Sequence, residues 1–171
     1  WKGAVKLRVN ADAMTLYAVT DRTWVKDTTL MDQVKEALEG GITFLQLREK
    51  HLSKEEFIKE AREMKELSKE YKVPFVINDN IEVALAVDAD GVHIGQDDMS
   101  VEEARKLLGE DKIIGVSAHN VEEAIKAQKG GADYLGVGAD CATSTKKDAN
   151  IVSKEEIKKI CHTVEIPVVA I

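Results

Sequence analysis

Gln46, Arg48 and Lys50 close the stretch Ile42-Thr-Phe-Leu-Gln-Leu-Arg-Glu-Lys50, an apolar run that turns polar at its end. In a strand, successive side chains point to opposite faces, so these three share one side and Leu45 and Leu47 the other. An amide and two cations at a strand's C-terminal end suit an anion rich in oxygens, because guanidinium and ammonium together neutralise a di- or triphosphate that neither holds alone. The plain structural alternative is a strand running out into a solvated, salt-bridged loop; similar polar strand ends downstream favour the anion site. Asn78-Asp79-Asn80 follow a later apolar run, and Gly95-Gln-Asp-Asp98 the next. Carboxylates from neighbouring strand ends, Asp79 and Asp98, can share Mg2+, which takes oxygen ligands from one or two carboxylates plus substrate phosphates. Each aspartate alone equally suits a turn, where Asp bonds its own backbone. Thr143-Ser-Thr-Lys-Lys-Asp148 gathers hydroxyls, N–H groups and lysines of the kind a phosphate needs, in letters that also describe a polar surface loop. His93 and His119 are candidate acid–base groups, but His93 sits inside an apolar run and reads first as a satisfied wall residue. Cys141 and Cys161 have no nearby His and no metal-ligand spacing, which argues against thiol catalysis and zinc.

The elements that must position these groups alternate. Leu16 to Thr20 is a short strand, and a helix over Leu30 to Glu39 ends at Gly40-Gly41. After the strand carrying Gln46, Ser53-Lys-Glu-Glu56 is a capping box that opens a helix to about Tyr71. Strands at Pro74–Asn78, Asp90–Gly95, Lys112–Ser117, Asp133–Gly138 and Pro167–Ile171 alternate with helices begun near Ile81, Ser100, Asn120 and Ser153. Seven strands of mostly apolar residues, alternating with helix signals, are the signature of βα units and a parallel sheet. An open doubly wound sheet and a TIM (β/α)8-type barrel both fit. The barrel is favoured, because no glycine-rich dinucleotide fingerprint follows the first strand and polar residues cluster after nearly every strand.

The 171 residues suit one domain with a full core. We read 14–171 as that domain, and 1–13 as an extra segment ahead of Met14, a candidate natural start, outside the functional argument. A net charge of −7 argues against nucleic acid held by general electrostatics, so an anion site must be local. With no signal peptide and no apolar run near a membrane span, a cytoplasmic protein with reduced thiols is expected.

Seven ordered motifs carry a resemblance: Leu16-Tyr-Ala-Val-Thr-Asp21, Gln46-Leu-Arg-Glu-Lys50, Ile77-Asn-Asp79, Asp90-Gly-Val-His-Ile-Gly-Gln-Asp-Asp98, Gly115-Val-Ser-Ala-His119, Ala132-Asp-Tyr-Leu-Gly-Val-Gly138 and Thr143-Ser-Thr-Lys-Lys-Asp148. The chain resembles the thiamin-phosphate synthase (thiamin-phosphate pyrophosphorylase) family from about Thr15 to Ile171. The resemblance implies a (β/α)8 barrel, here without its eighth βα unit. It also implies a Mg2+-dependent transferase that joins hydroxymethylpyrimidine diphosphate to hydroxyethylthiazole phosphate, releasing diphosphate and forming thiamin phosphate. By that match Gln46, Arg48, Lys50 and Asn78 bind the pyrimidine diphosphate, Ser117 and Lys146 complete its pocket, Asp79 and Asp98 hold Mg2+, and Thr143 and Thr145 contact the thiazole phosphate. Arg48, Lys50 and Lys146 are the expected catalytic cations, in a dissociative mechanism whose pyrimidine cation the thiazole nitrogen captures. A homodimer is the expected assembly.

Two departures stand out. Ala139-Asp140-Cys141-Ala142 replaces an apolar and aromatic pair, and a carboxylate turned toward two phosphates is expected to weaken anion binding. The chain also stops at Ile171, where the family continues into a helix and an eighth strand. The alternatives are therefore a catalytically impaired fragment or scaffold, with residues 1–10 as a candidate substitute strand, and a related thiazole tautomerase. The diphosphate-and-magnesium constellation argues against the tautomerase.

Overall fold

The computed structural model describes residues 8–138 and 152–171. Its strands are β1 (Tyr17–Val19), β2 (Phe44–Leu47), β3 (Phe75–Asn78), β4 (Gly91–Ile94), β5 (Ile113–Ala118), β6 (Tyr134–Val137) and β7 (Val168–Ala170). The helices between them are α1 (Leu30–Glu39), α2 (Lys54–Glu70), α3 (Ile81–Ala86), α4 (Val101–Leu108), α5 (Val121–Gly130) and α6 (Lys154–Thr163). The strands form one sheet in sequence order, every pair parallel. This is a TIM-type α/β barrel of seven strands, nearly closed, and every strand delivers its C-terminal end to the same mouth.

Register decides what lies inside. Tyr17 pairs with Phe44, Gln46 with Val76, Asn78 with His93, His93 with Gly115, Gly115 with Tyr134, and Ser117 with Gly136. Parallel neighbours in register share a face, so one continuous set turns inward. Its apolar members Phe44, Val76, Ile113 and Val169 pack with Tyr134, Tyr17, Val9 and Met14. The alternate residues, among them Leu45, Leu47, Phe75, Ile77, Val92, Ile114 and Leu135, face the helices in the larger core.

Helix starts follow the sequence closely. The Ser53/Glu56 and Ser100/Glu103 boxes close in both directions, and so does a Thr29/Asp32 box that the sequence reading passed over. Asn120 and Ser153 cap α5 and α6 through one bond each. Between β1 and α1 lies a short 3-10 turn at Arg22–Trp24, capped by Asp21. Residues 8–10 lie at the opposite end from the mouth and form no strand: Val9 joins the inner cluster, and Arg8 bonds Asp133 at 2.9 Å and Glu110 at 2.7 Å. Residues 1–7, the rest of the suggested substitute strand, lie outside the described residues.

Two glycines make room inside. A Cβ on Gly115 would stand 2.1 Å from Cζ of Tyr134, and one on Gly136 would stand 2.9 Å from Cε1 of His93. Gly115→Ala is therefore expected to lower stability by about 1–3 kcal/mol through overpacking, read from the urea midpoint at unchanged m-value.

Candidate active site

The mouth is built from β-strand ends. β2 stops at Leu47, shorter than its apolar run suggests, so the polar residues do not form one ladder on one strand face. Gln46 is buried in the barrel, where its Nε2 donates to the Tyr17 hydroxyl at 2.6 Å. Arg48 and Lys50 lie beyond the strand. Thr20, buried after β1, braces that turn by accepting the Arg48 backbone N–H at 2.9 Å. Glu49, between the two cations, is drawn to Arg22 at 2.8 Å. Among the described residues the Arg48 guanidinium forms no ion pair, which leaves it available to a ligand.

β3 ends in the acidic part of the site. Lys50 Nζ lies 2.8 Å from Asp79 Oδ2, and Asn78 Nδ2 donates to the same oxygen at 2.6 Å. Asp79 has φ +61°, in the left-handed region that Asp and Asn tolerate better than most residues, and its N–H donates to the His93 carbonyl at 2.8 Å. Asp98, after β4, accepts the Gly95 N–H at 2.6 Å. Burial pushes the Asp98 carboxyl above the usual range; the Gly95 N–H pulls it back, and the adjacent Asp79 carboxylate pushes it up again. Both aspartates thus play the turn role that their type suggests, and they also sit side by side. Two neighbouring carboxylates, with the proton affinity of Asp98 raised, suit a shared divalent cation.

The wall behind is polar and connected. His93 lies buried on β4 with Nε2 2.9 Å from Ser117 Oγ and Nδ1 2.9 Å from the Tyr134 hydroxyl, which is 2.7 Å from that of Tyr17. Burial pushes the Tyr17 phenol up to about 12, although bonds to Tyr134 and Gln46 pull against it; burial, with Tyr17 beside it, pushes Tyr134 well above its usual value. Both remain neutral phenols at physiological pH. Gln96 donates to the Ser117 carbonyl at 2.6 Å and ties the loop after β4 to β5. His119 is spoken for: its N–H and Nδ1 both meet Glu123, at 2.8 and 2.9 Å.

Gln46, Asn78, Asp79, Asp98, Lys50, Arg48 and Ser117 thus all stand at or just inside one mouth. Lys146, Thr143 and Thr145, with Asp140 and Cys141, lie outside the described residues. Tyr17, Tyr134, Thr20 and Gln96 were missed as supporting residues. Tyr134 had a signal, since it alternates with Gly136 on the face that carries Ser117's neighbours.

The family described as Thiamine monophosphate synthase matches residues 16–171. The chain belongs to it. The thiamine-phosphate synthase of Clostridium acetobutylicum is 55% identical over 156 residues, covering 91% of this chain and 74% of that protein. That of Methanobrevibacter smithii is 49% identical over 158 residues, covering 92% and 75%. The chain therefore spans about three quarters of the length of these relatives. Among solved structures, thiamine phosphate pyrophosphorylase from Pyrococcus furiosus superposes with a TM-score of 0.85 at 41% identity, covering 94% of this chain and 76% of that one. A 3-dehydroquinate dehydratase from Aquifex aeolicus, at TM-score 0.59 and 16% identity, shares the fold alone.

The left-handed backbone of Asp79 can be separated from its carboxylate. Asp79→Asn should fold with near-native stability, whereas Asp79→Val, β-branched at positive φ, should lose about 1–3 kcal/mol. Equal urea midpoints for the two variants would contradict this.

Proposed function

We propose that the chain carries out its family's reaction, joining hydroxymethylpyrimidine diphosphate to hydroxyethylthiazole phosphate with loss of diphosphate. The observation that carries this reading is the juxtaposition of Lys50, Asn78, Asp79 and Asp98 at one mouth, with Arg48 beside them and, among the described residues, no thiol placed there for covalent catalysis. A site of this composition works by position and charge. Arg48 and Lys50 bind the diphosphate and offset the negative charge that grows as its bond to the pyrimidine methylene breaks. Asn78 and Ser117 hold diphosphate oxygens, and Gln46 faces the pyrimidine. The thiazole nitrogen then adds to the methylene cation, so no protein atom forms a bond to either substrate. Lys146 completes the diphosphate pocket, while Thr143 and Thr145 take the thiazole phosphate.

Mg2+ fits the donor set. Among the described residues no cluster of three or more His, Cys, Asp or Glu gathers to hold a metal unaided. Asp79 and Asp98 supply two carboxylates, and magnesium is commonly completed by substrate phosphates and water. When bound, the ion would supply Lewis-acid charge to the departing diphosphate. Lys50 now pairs with Asp79 in part-exposed surroundings, a contact worth little and easily exchanged for a diphosphate.

The reading includes a soluble cytoplasmic setting. No described helix is long and apolar enough to cross a membrane. It also includes a homodimer, for which exposed Leu85 on α3 and Leu107 on α4 offer apolar surface.

Thiamin phosphate formation from the two substrates with Mg2+ tests the proposal. Asp98→Ala should stay folded and lose about 100-fold or more in kcat, with weaker dependence on Mg2+. Full turnover in that variant would remove Asp98 from the metal site.

A further inference from the structure

Five side chains inside the barrel touch in a line. Gln46 on β2 bonds Tyr17 on β1 at 2.6 Å, Tyr17 bonds Tyr134 on β6 at 2.7 Å, Tyr134 bonds His93 on β4 at 2.9 Å, and His93 bonds Ser117 on β5 at 2.9 Å. We propose that this line is a polarised hydrogen-bond relay that holds His93 as its Nε2–H tautomer and thereby makes Ser117 a hydrogen-bond donor to the leaving diphosphate. The inference rests on the function proposed above and adds Tyr17, Tyr134 and His93 to it as positioning residues.

The polarity follows from counting protons. Each phenol has one proton, a neutral imidazole has one, and the serine hydroxyl has one. If Gln46 donates through Nε2, Tyr17 accepts and its own proton goes to Tyr134. Tyr134 then donates to Nδ1 of His93, Nε2–H donates to Ser117 Oγ, and the serine proton is left for the mouth. Reversing the bonds from Tyr17 to Ser117 while Gln46 still donates would give the Tyr17 oxygen two donors and leave its own buried proton without a partner in the line, at the cost of an unmatched polar group. The amide stands with Nε2 toward Tyr17. A diphosphate oxygen only accepts, so the ligand at the far end favours the same direction. The Gln46 amide oxygen is then left for a donor, such as the amino group of the pyrimidine.

The heavy atoms are held while the protons are free to choose. Tyr17 stacks on Phe44 with ring centroids 4.9 Å apart, Tyr134 meets Phe44 edge-on at 5.5 Å, and His93 lies 5.5 Å from Tyr134. Gly115 and Gly136 give up their side-chain space to these two rings. Barrel interiors are usually filled by branched apolar residues, so a polar line housed in this way is a costly arrangement for packing alone.

The test is 15N NMR of histidine-labelled protein, with His51, His119 and His162 replaced singly by Gln to assign the fourth signal. A single Nε2–H tautomer at His93 is expected at neutral pH. A proton on Nδ1 would overturn the relay whether or not the protein is active. In Tyr134→Phe, with its fold checked by circular dichroism, His93 should become a mixture of tautomers, and kcat should fall about 10-fold or more with KM for the pyrimidine diphosphate little changed. Unchanged kcat in that variant would also overturn the proposal. The Nε2–H tautomer in a chain that forms no thiamin phosphate would support the relay's polarity while refuting the proposed reaction.

Discussion

A polar side chain inside a ring of strands is tolerated only when its donors and acceptors are matched, and this constraint organises the structure. Parallel register turns alternate residues inward, and on six of the seven strands one of those residues is polar: Tyr17, Gln46, Asn78, His93, Ser117 and Tyr134. Each finds a hydrogen-bond partner, and the bonds of Tyr134 to Tyr17 and His93 cross the interior. Below them Phe44, Val76, Ile113 and Val169 form an apolar floor, closed from beneath by Val9 and Met14. The interior therefore grades from dry to polar along the axis, and the polar end is the one where all the strand ends converge.

Much of this was legible in the sequence. Ser53/Glu56 and Ser100/Glu103 announce helix starts by a hydroxyl and a carboxylate three residues apart, a local rule that tertiary packing rarely overrides. Apolar runs of strand length between those caps announced seven parallel strands, and polar residues at neighbouring strand ends brought Asp79 and Asp98 forward as neighbours. Other features depend on contacts distant in sequence. Alternation placed Gln46, Arg48 and Lys50 on one strand face, yet β2 ends at Leu47, because Thr20 captures the Arg48 backbone and turns the chain. No spacing rule links Tyr17 to Tyr134, which are 117 residues apart and meet only when the sheet curls. Gly115 and Gly136 look like ordinary strand glycines until the rings above them are seen.

The two ends of the barrel treat charge differently. Away from the mouth, Asp133 is nearly enclosed and accepts from Arg8, Arg105 and the Ile114 N–H, a set that satisfies its lone pairs and ties three segments together. Breaking such a set leaves a buried charge uncompensated. At the mouth, Lys50 and Asp79 are both partly exposed and Arg48 has no ion-pair partner among the described residues. Half-solvated ions exchange partners at little cost. A chain of net charge −7 can thus hold a local anion site, provided its cations are not locked into structural pairs elsewhere.

Curvature and chemistry meet at Tyr17. β1 pairs in the sheet with β2 alone among the described strands, and no described strand ladders its other edge. The bond from Tyr17 to Tyr134 reaches β6, which is not its sheet neighbour, and the stack on Phe44 fixes the ring that makes it. A side-chain bond across the interior thus does for β1 part of what a neighbouring strand's hydrogen bonds would do, since it resists the sheet opening at that edge. The same bond aligns Gln46 at one wall with His93 and Ser117 at the other. Loosening the edge would therefore disorder the groups at the mouth before it unfolded the sheet, because their orientation depends on a line of contacts that only the curled sheet brings together.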